Sequence, residues 1–197
     1  MSGRLPTYFI SHGGGPWPWL EGMRRQLANL EVSLKRMPEE IGVKPKAVLV
    51  ISGHWEGADF AVMHSANPPM IYDYSGFPDE TYKIVYPAPG APTLAERTAE
   101  LISAAGLPTH LDDAQGFDHG TFAPLYVMYP EADVPVFQVS MKRGYDPALH
   151  FALGRALAPL RDEGVLSIDT PVDDYAPELG TICRTESGTR ITLRHLL

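Results

Sequence analysis

The sequence is poor in cysteine, in clustered positive charge and in long apolar runs. Its single cysteine, Cys183, excludes an internal disulfide framework and is typical of a reducing cytoplasm. The formal net charge is −8 and no run of Lys and Arg occurs, which argues against binding to nucleic acid. No apolar run approaches the length that crosses a bilayer, and no signal peptide is recognisable at the N-terminus. We therefore expect a cytoplasmic protein that has neither a nucleic-acid nor a membrane partner.

Several common catalytic motifs are missing as well. No P-loop occurs, and the glycines at 13–15 do not have the spacing of a dinucleotide-binding loop. Ser11 and Ser52 lack the flanking glycines of a nucleophile elbow. Cys183 has no histidine at an obvious catalytic spacing, so we do not expect a thiol nucleophile.

What is present is an alternation of strand-like and helix-like segments. Apolar runs typical of buried strands occur at 8–10, 47–51, 60–64, 134–139 and 165–168. Helix-like spacings of threes and fours occur at 18–41, 93–105 and 147–163. This order predicts one α/β domain over 1–197, with three layers and a central, largely parallel or mixed sheet flanked by helices. From about Ser167 to Leu197 no clear period of either kind is found.

Local residues also predict where the segments begin and end. Thr93 and the glutamate three residues later have the spacing of a capping box, which predicts that a helix begins there. Asp146 followed by Pro147 predicts an N-cap and a first-turn proline for the last helix. Gly42 is expected to end the first helix, and 68–92, which is dense in Pro, Gly, Tyr and Asp, to form a long ordered loop.

Histidines follow two of the strand-like runs. His12 comes after the run at 8–10 and His54 after the run at 47–51, each beside a glycine that lets the backbone turn sharply. Side chains just past the carboxyl ends of strands in an open α/β sheet converge on a ligand crevice. Because two neutral imidazoles are the beginning of a transition-metal site, we interpret His12 and His54 as metal ligands.

The other histidines give weaker signals. His119 precedes an apolar stretch, and we expect a loop position at which Asp118 or a backbone carbonyl fixes its tautomer. His195 lies in the C-terminal stretch and is either a further ligand or a solvated terminal residue. The histidines that we expect to be structural or to face solvent are His64, His110 and His150.

Aromatic residues cluster near both histidine-bearing segments. Trp17, Trp19 and Trp55 lie in or beside the expected crevice, together with the loop 72–77. Such rings would hold a flat aromatic ligand in offset or edge contacts, although the same rings could serve only as loop anchors. We expect Trp55 and Tyr74 to contact a substrate.

Many separate motifs together resemble one known family. They are Ser11-His12-Gly13-Gly14-Gly15-Pro16, Ser52-Gly53-His54-Trp55-Glu56, Tyr72-Asp73-Tyr74-Ser75-Gly76-Phe77-Pro78, Tyr86-Pro87-Ala88-Pro89-Gly90, Phe117-Asp118-His119-Gly120-Thr121, Met128-Tyr129-Pro130-Glu131-Ala132-Asp133-Val134-Pro135 and His150-Phe151-Ala152-Leu153-Gly154-Arg155-Ala156-Leu157. In order and spacing they resemble the class III extradiol ring-cleavage dioxygenases, in particular the branch similar to DOPA 4,5-dioxygenase. The resemblance covers residues 5–166.

This resemblance implies a central sheet with a metal at one end of its strands. It implies that His12 and His54 bind a non-haem Fe(II), with Zn(II) as an alternative in the same site. His119 would lie beside the metal as a substrate-binding and acid/base residue, and we add Asp118 as a substrate contact. The implied partners are a small aromatic diol and O2, and a homo-oligomer is compatible with the sequence.

The chemistry of a catechol fits these roles. Its two oxygens can chelate a metal while O2 takes an adjacent position, which requires few protein ligands on one face of the ion. Holding both reactants side by side supplies much of the rate enhancement through proximity. A histidine near the substrate can take a hydroxyl proton and return it later in the reaction. The ring would open beside the two hydroxyls rather than between them.

The C-terminal stretch departs from the family pattern. After Leu166 the family continues with a Ser-Gly loop that carries a histidine before Asn, and later with a Pro-Glu-His segment that completes the metal site. This chain reads Ser167-Ile168-Asp169-Thr170-Pro171 and ends some tens of residues sooner, with neither segment recognisable. Glu178, Glu186 or His195 would then supply the third ligand.

Three other interpretations are open. A truncated or diverged relative would bind metal weakly and would not catalyse. A Memo-like protein, which resembles the same family, would use the fold as a non-enzymatic interaction module. A metal-dependent hydrolase would need a carboxylate base beside the metal, for which Glu56 is the candidate.

Overall fold

Short apolar runs form the strands of this protein, and runs with helical spacing form its helices. The computed structural model of the chain describes residues 4–169. The strands are β1 (Thr7–Phe9), β2 (Ala47–Ile51), β3 (Glu56–Gly57), β4 (Phe60–Met63), β5 (Thr109–Asp112), β6 (Val136–Gln138), β7 (Met141–Lys142) and β8 (Val165–Asp169). The helices are α1 (Glu21–Gln26), α2 (Ala28–Ile41), α3 (Pro92–Ala104), α4 (His119–Met128) and α5 (Pro147–Asp162), with short 3-10 turns at Trp17–Trp19 and Asp79–Lys83. Within residues 4–169, none of the helices has the length and apolar character needed to span a membrane.

Four parallel strands make the central sheet, in the order β1-β8-β2-β6. β2 is buried from Ala47 to Val50, as expected of a strand that is covered on both faces. In the register, Leu49 lies opposite Phe137 on one side and Ser167 on the other. Two smaller parallel pairs, β3 with β7 and β4 with β5, accompany this sheet. The predicted α/β class with a largely parallel sheet is confirmed.

The position of β8 decides which segments meet at the carboxyl edge of the sheet. β8 lies between β1 and β2, and Asp169 at its end is paired with both Phe9 and Ile51. The segments that follow β1 and β2 therefore leave the sheet at the same edge, with β8 between them. These two segments carry His12 and His54.

Among the helices of residues 4–169, α2 packs against α4 and α3 packs against α5. α2 ends at Gly42, whose φ of +70° is the left-handed conformation that glycine adopts readily. α5 begins as predicted, because the Asp146 carboxylate accepts hydrogen bonds from the N–H groups of Ala148 and Leu149. Pro147 occupies the first turn, where its missing N–H costs nothing.

Two helix boundaries differ from the prediction. The prediction of a capping box at Thr93 is wrong. The helix α3 begins one residue earlier, at Pro92, and its N-cap residue Ala91 makes no side-chain hydrogen bond. Proline is favoured there because its fixed φ suits the first helical position. The single helix predicted over 18–41 is also wrong, because the backbone leaves helical geometry at Leu27, between α1 and α2. Leu27 itself is partly buried and packs against the core.

Candidate metal centre

His12 and His54 meet at the carboxyl edge of the central sheet. His12 follows β1 and His54 follows β2, and their rings lie edge to face with centroids 4.9 Å apart. Their Nε2 atoms are 3.2 Å apart. His12 is completely buried, and the side chain of His54 is 10% exposed. The two ring nitrogens therefore face each other where little water reaches.

His119 joins this pair from the start of α4. It is the first residue of that helix rather than a loop residue, and its side chain is completely buried. Its ring centroid lies 4.2 Å from that of His54 and 5.1 Å from that of His12. One ligand-capable ring nitrogen from each of the three histidines lies within 4.8 Å of the others. The structure thus brings together the three histidines that the sequence singles out.

Asp73 holds two of these rings, and sequence reasoning does not identify it as a site residue. Its Oδ1 accepts hydrogen bonds from Nδ1 of His119 at 2.8 Å and from the backbone N–H of His119 at 3.0 Å. Its Oδ2 lies 2.9 Å from Nδ1 of His54. An ionised carboxylate only accepts hydrogen bonds, so both imidazoles carry a proton on Nδ1. When each ring is neutral, its Nε2 is then the acceptor nitrogen.

The charges of the site follow from burial and from these hydrogen bonds. Burial acts to raise the pKa of Asp73, but the hydrogen bonds from His119 and His54 outweigh it and hold that pKa well below its ordinary value. Burial, together with the electrostatic effect of the neighbouring His119 and His54, lowers the pKa of His12 to about 3. Near neutral pH, Asp73 is therefore an anion and His12 a neutral imidazole.

This donor set fits a transition metal. Metal–imidazole bonds are roughly 2.0–2.1 Å long, so two imidazole nitrogens on one ion lie about 3 Å apart. The observed separation of 3.2 Å between the Nε2 atoms of His12 and His54 is close to that value. Imidazole nitrogens suit iron and zinc alike. The further ligands predicted from the sequence, Glu178, Glu186 and His195, lie outside the described residues and stay predictions.

Asp118 connects the end of β2, which leads to His54, with the start of α4, which carries His119. Its buried carboxylate is the N-cap of α4, where Oδ1 accepts a backbone N–H at 3.1 Å. The same oxygen accepts the Ser52 hydroxyl at 2.7 Å, and the Ser52 oxygen accepts the N–H of His54 at 3.2 Å. The carboxylate that contacts the His119 ring is that of Asp73, not that of Asp118. Substrate contact by Asp118 stays a prediction.

Gly120 makes room for the His54 ring. A Cβ atom at Gly120 would lie 2.8 Å from Cδ2 of His54 and 2.8 Å from Oγ of Ser52. These separations are well below normal contact distances in a close-packed interior. Glycine therefore allows the first turn of α4 to lie directly against the His54 ring.

Trp17 anchors the loop that carries His12. Its indole N–H donates to the His12 carbonyl at 2.7 Å, and its ring is completely buried. Gly13 has a φ of +73°, and a Cβ there would lie 2.5 Å from the indole. Of the two interpretations of Trp17, ligand contact and loop anchor, the structure supports the anchor. Trp19 packs on Tyr126, with ring centroids 4.4 Å apart.

Tyr74 is the aromatic residue of the 72–77 loop that packs on the histidines. Its ring centroid lies 5.9 Å from that of His119, in an edge-to-face arrangement. Its hydroxyl donates to the carbonyl of Thr81 at 2.6 Å, and burial raises its pKa to about 12. Trp55, which directly follows His54, is half-buried and packs against the core. A neutral aromatic side chain thus borders the histidine cluster.

The other candidate residues have partners of their own. Glu56, the base that a hydrolase would need, accepts the Tyr145 hydroxyl and lies 3.8 Å from the guanidinium of Arg143. His64 contacts two surface carboxylates, and His150 bonds to two backbone groups. These contacts agree with the structural roles predicted for His64 and His150.

Comparisons with known proteins cover the same region. The sequence model of a family described as the catalytic LigB subunit of aromatic ring-opening dioxygenase matches residues 7–169. A 4,5-DOPA dioxygenase extradiol from Beta vulgaris is 43% identical over 163 residues, which are 82% of this chain and 59% of that protein. Another from Escherichia coli (strain K12) is 41% identical over 170 residues, which are 85% of this chain and 59% of that protein. Dioxygenase tasH from Hapsidospora irregularis is 39% identical over 171 residues, which are 83% of this chain and 52% of that protein.

A solved structure is similar as well. The crystal structure of an uncharacterized protein from Escherichia coli K12 matches with a TM-score of 0.65 and 35% identity, over 85% of this chain and 59% of that chain. The chain therefore spans between 52% and 59% of the length of these relatives. The three histidines and Asp73 all lie in the region that the family matches.

Proposed function

The chain belongs to the LigB family of aromatic ring-opening dioxygenases, and we propose that it uses Fe(II) and O2 to open the ring of a small catechol beside its two hydroxyls. The observation that carries this proposal is the cluster of three histidines, with ring nitrogens within 4.8 Å of one another, at the carboxyl edge of the sheet. Two of the relatives are named for DOPA, which is a catechol, and we extend that class of substrate to this chain.

We assign the metal to His12 and His54, whose Nε2 atoms lie 3.2 Å apart. A bound Fe(II) would hold the two catechol oxygens and O2 in adjacent positions and allow electrons to pass from the ring to O2. Zn(II) suits the same nitrogens but has no redox chemistry, so it would occupy the site without turnover.

His119 is the acid/base residue in this proposal. Its Nδ1 proton is held by Asp73, so Nε2 of the neutral ring is an acceptor. From that position it can take a proton from a catechol hydroxyl and return it when the ring opens. Tyr74, whose ring lies 5.9 Å from that of His119, would flank the substrate ring together with Trp55.

For the third metal ligand we retain His195, with Glu178 and Glu186 as alternatives. All three follow Asp169 in the sequence. Asp169 ends β8, which lies between the strands that lead to the two ligand histidines. The chain therefore continues from the edge of the sheet at which the metal would bind.

Oxygen uptake by anaerobically Fe(II)-loaded protein tests the proposal, on a panel of catechols that includes DOPA and protocatechuate. Wild-type protein should consume O2 and form a yellow product. His12→Ala and His54→Ala should bind little iron and consume no O2. His119→Gln should keep its iron and lose roughly 10²–10⁴-fold in rate, as expected for removal of an acid/base group. Absence of uptake by folded, iron-loaded wild-type protein would refute the proposal.

A second candidate is a relative that binds metal without catalysing. It is favoured by residues 167–171, which read Ser-Ile-Asp-Thr-Pro where the family has a Ser-Gly loop with a histidine. Dialysis against metal-free buffer separates the two candidates. A site with two histidine ligands should release Fe(II), whereas stoichiometric retention would indicate a third ligand. The hydrolase alternative has no comparable support, because the Glu56 carboxylate, its candidate base, already accepts a hydrogen bond from the Tyr145 hydroxyl.

A further inference from the structure

We infer that Asp73 is a positioning residue that sets the ring tautomers of both His54 and His119, so that one carboxylate prepares a metal ligand and the acid/base group together. The inference rests on the proposed roles of these two histidines. The inference concerns the positions of the ring protons, and these can be measured in metal-free protein.

A single carboxylate contacts both rings, one with each oxygen. Oδ1 of Asp73 lies 2.8 Å from Nδ1 of His119, and Oδ2 lies 2.9 Å from Nδ1 of His54. A neutral imidazole has one N–H and one acceptor nitrogen, whereas a carboxylate offers acceptors only. Both Nδ1 atoms must therefore be donors. Both Nε2 atoms are then left as the nitrogens that can bind a metal or accept a substrate proton.

The carboxylate is itself fixed in place. Oδ1 also accepts the backbone N–H of His119 at 3.0 Å, which ties Asp73 to the first turn of α4. The neighbours of Asp73 in its loop, Tyr72 and Tyr74, donate their hydroxyls to backbone carbonyls at 2.7 and 2.6 Å. The side chain of Asp73 is 19% exposed, so it is shielded from most of the solvent. Its orientation toward the two rings is therefore determined by the fold.

The alternative is that Asp73 only tethers its loop to α4. A tether would need one hydrogen bond to the backbone N–H of His119, and an amide oxygen could supply it. A tautomer-setting role needs an acceptor at both rings, which an amide cannot supply because one of its two ends is a donor. The two roles therefore give different results for the same isosteric substitution.

Asp73→Asn tests the inference, because it keeps the size of the side chain and replaces one acceptor by a donor. We expect the amide oxygen to stay at the backbone N–H of His119 and the amide NH2 to face His54. Nδ1 of His54 must then accept, which moves its proton to Nε2. Long-range proton–nitrogen NMR of metal-free protein should show Nδ1–H rings in the wild type and an Nε2–H ring at His54 in the variant. The affinity for Zn(II) alone should fall by about 10–100-fold.

Asp146→Asn is the matched control, since the Asp146 carboxylate bonds to backbone N–H groups at the start of α5. It should leave the tautomers and the Zn(II) affinity unchanged. Asp73→Glu keeps two acceptor oxygens and should retain the Nδ1–H form of His54.

Two results would overturn the inference. One is an Nε2–H form of His54 or His119 in wild-type protein, a measurement that needs no variant to fold. The other is an Asp73→Asn protein with unchanged tautomers or unchanged Zn(II) affinity. Failure of O2 uptake, with the NMR and Zn(II) results as expected, would refute the proposed function and leave the role of Asp73 intact.

Discussion

The hydroxyl of Ser52 donates to Oδ1 of Asp118 over 2.7 Å, and this buried contact joins the end of β2 to the start of α4. His54 lies two residues after Ser52, and His119 directly follows Asp118. The contact therefore helps to set the distance between these two histidines. The site is held from two sides, at the ring nitrogens by Asp73 and at the backbone by this pair.

Ser52→Ala should lower the free energy of unfolding by about 1–3 kcal/mol, because it removes a donor from a buried carboxylate. Denaturant unfolding of metal-free protein measures this change. Ser65→Ala is the control, since the Ser65 oxygen accepts an exposed backbone N–H, and it should stay within about 0.5 kcal/mol of the wild type. Equal stability of Ser52→Ala and wild type would show that this hydrogen bond does not stabilise the fold.

Gly120→Ala should destabilise the protein by about 1–3 kcal/mol and weaken Zn(II) binding, because the new Cβ would lie 2.8 Å from the His54 ring. The matched control is Gly22→Ala in α1, where a Cβ would meet no atom within 4 Å. That variant should gain about 0.5–1 kcal/mol, the usual benefit of alanine over glycine in a helix. If both variants gain stability, the close packing of α4 on His54 is not present in solution.

The elements that neighbouring residues determine are predictable from the sequence. β2 is a continuous apolar run, and α5 starts with an Asp146 N-cap and a proline, so both follow from local patterns. Leu27 is different, because the backbone leaves helical geometry there although the apolar spacing of the stretch is helical, and local propensity is only a weak guide in such cases. Asp73 is not predictable as a partner of His119, because 46 positions separate them and no local pattern indicates which edge of the sheet its loop approaches.

Glu31 should make stability depend on pH, because hydrogen bonds from Arg24 and Lys35 lower its pKa to about 2 from an ordinary 4.5. Between these two pH values the unfolded chain binds more protons than the folded one. The contribution of Glu31 is therefore fully present above pH 4.5 and is lost as the pH falls toward 2. Its contact with Arg24 bridges α1 and α2, whereas its contact with Lys35 lies within α2, and Glu31 Oε1 is 2.6 Å from both cations.

Glu31→Gln should accordingly lower the free energy of unfolding by about 0.2–1 kcal/mol near neutral pH, the range for ion pairs at the surface. The difference from wild type should shrink in urea unfolding curves recorded below pH 4.5. A difference that is the same at every pH would mean that packing, and not charge, is responsible.

His195→Ala should weaken Zn(II) and Fe(II) binding by about 10-fold or more if His195 is the third ligand. Competition with a chelator of known affinity measures the change. His64→Ala is the control, because His64 bonds to two surface carboxylates and should leave the affinity unaltered. Unchanged affinity in His195→Ala would exclude His195 as a ligand, and the same measurement on Glu178→Gln and Glu186→Gln would then decide between the alternatives.

The central claim is that the site formed by His12, His54 and His119 opens the ring of a catechol with O2. The most direct test is mass spectrometry of the product that Fe(II)-loaded protein forms under isotopically labelled O2, with prompt trapping so that aldehyde oxygen does not exchange with water. We predict a ring-opened product that carries both oxygen atoms of one O2 molecule, formed by wild-type protein and not by His12→Ala. Recovery of every catechol intact from folded, iron-loaded wild-type protein would contradict the claim.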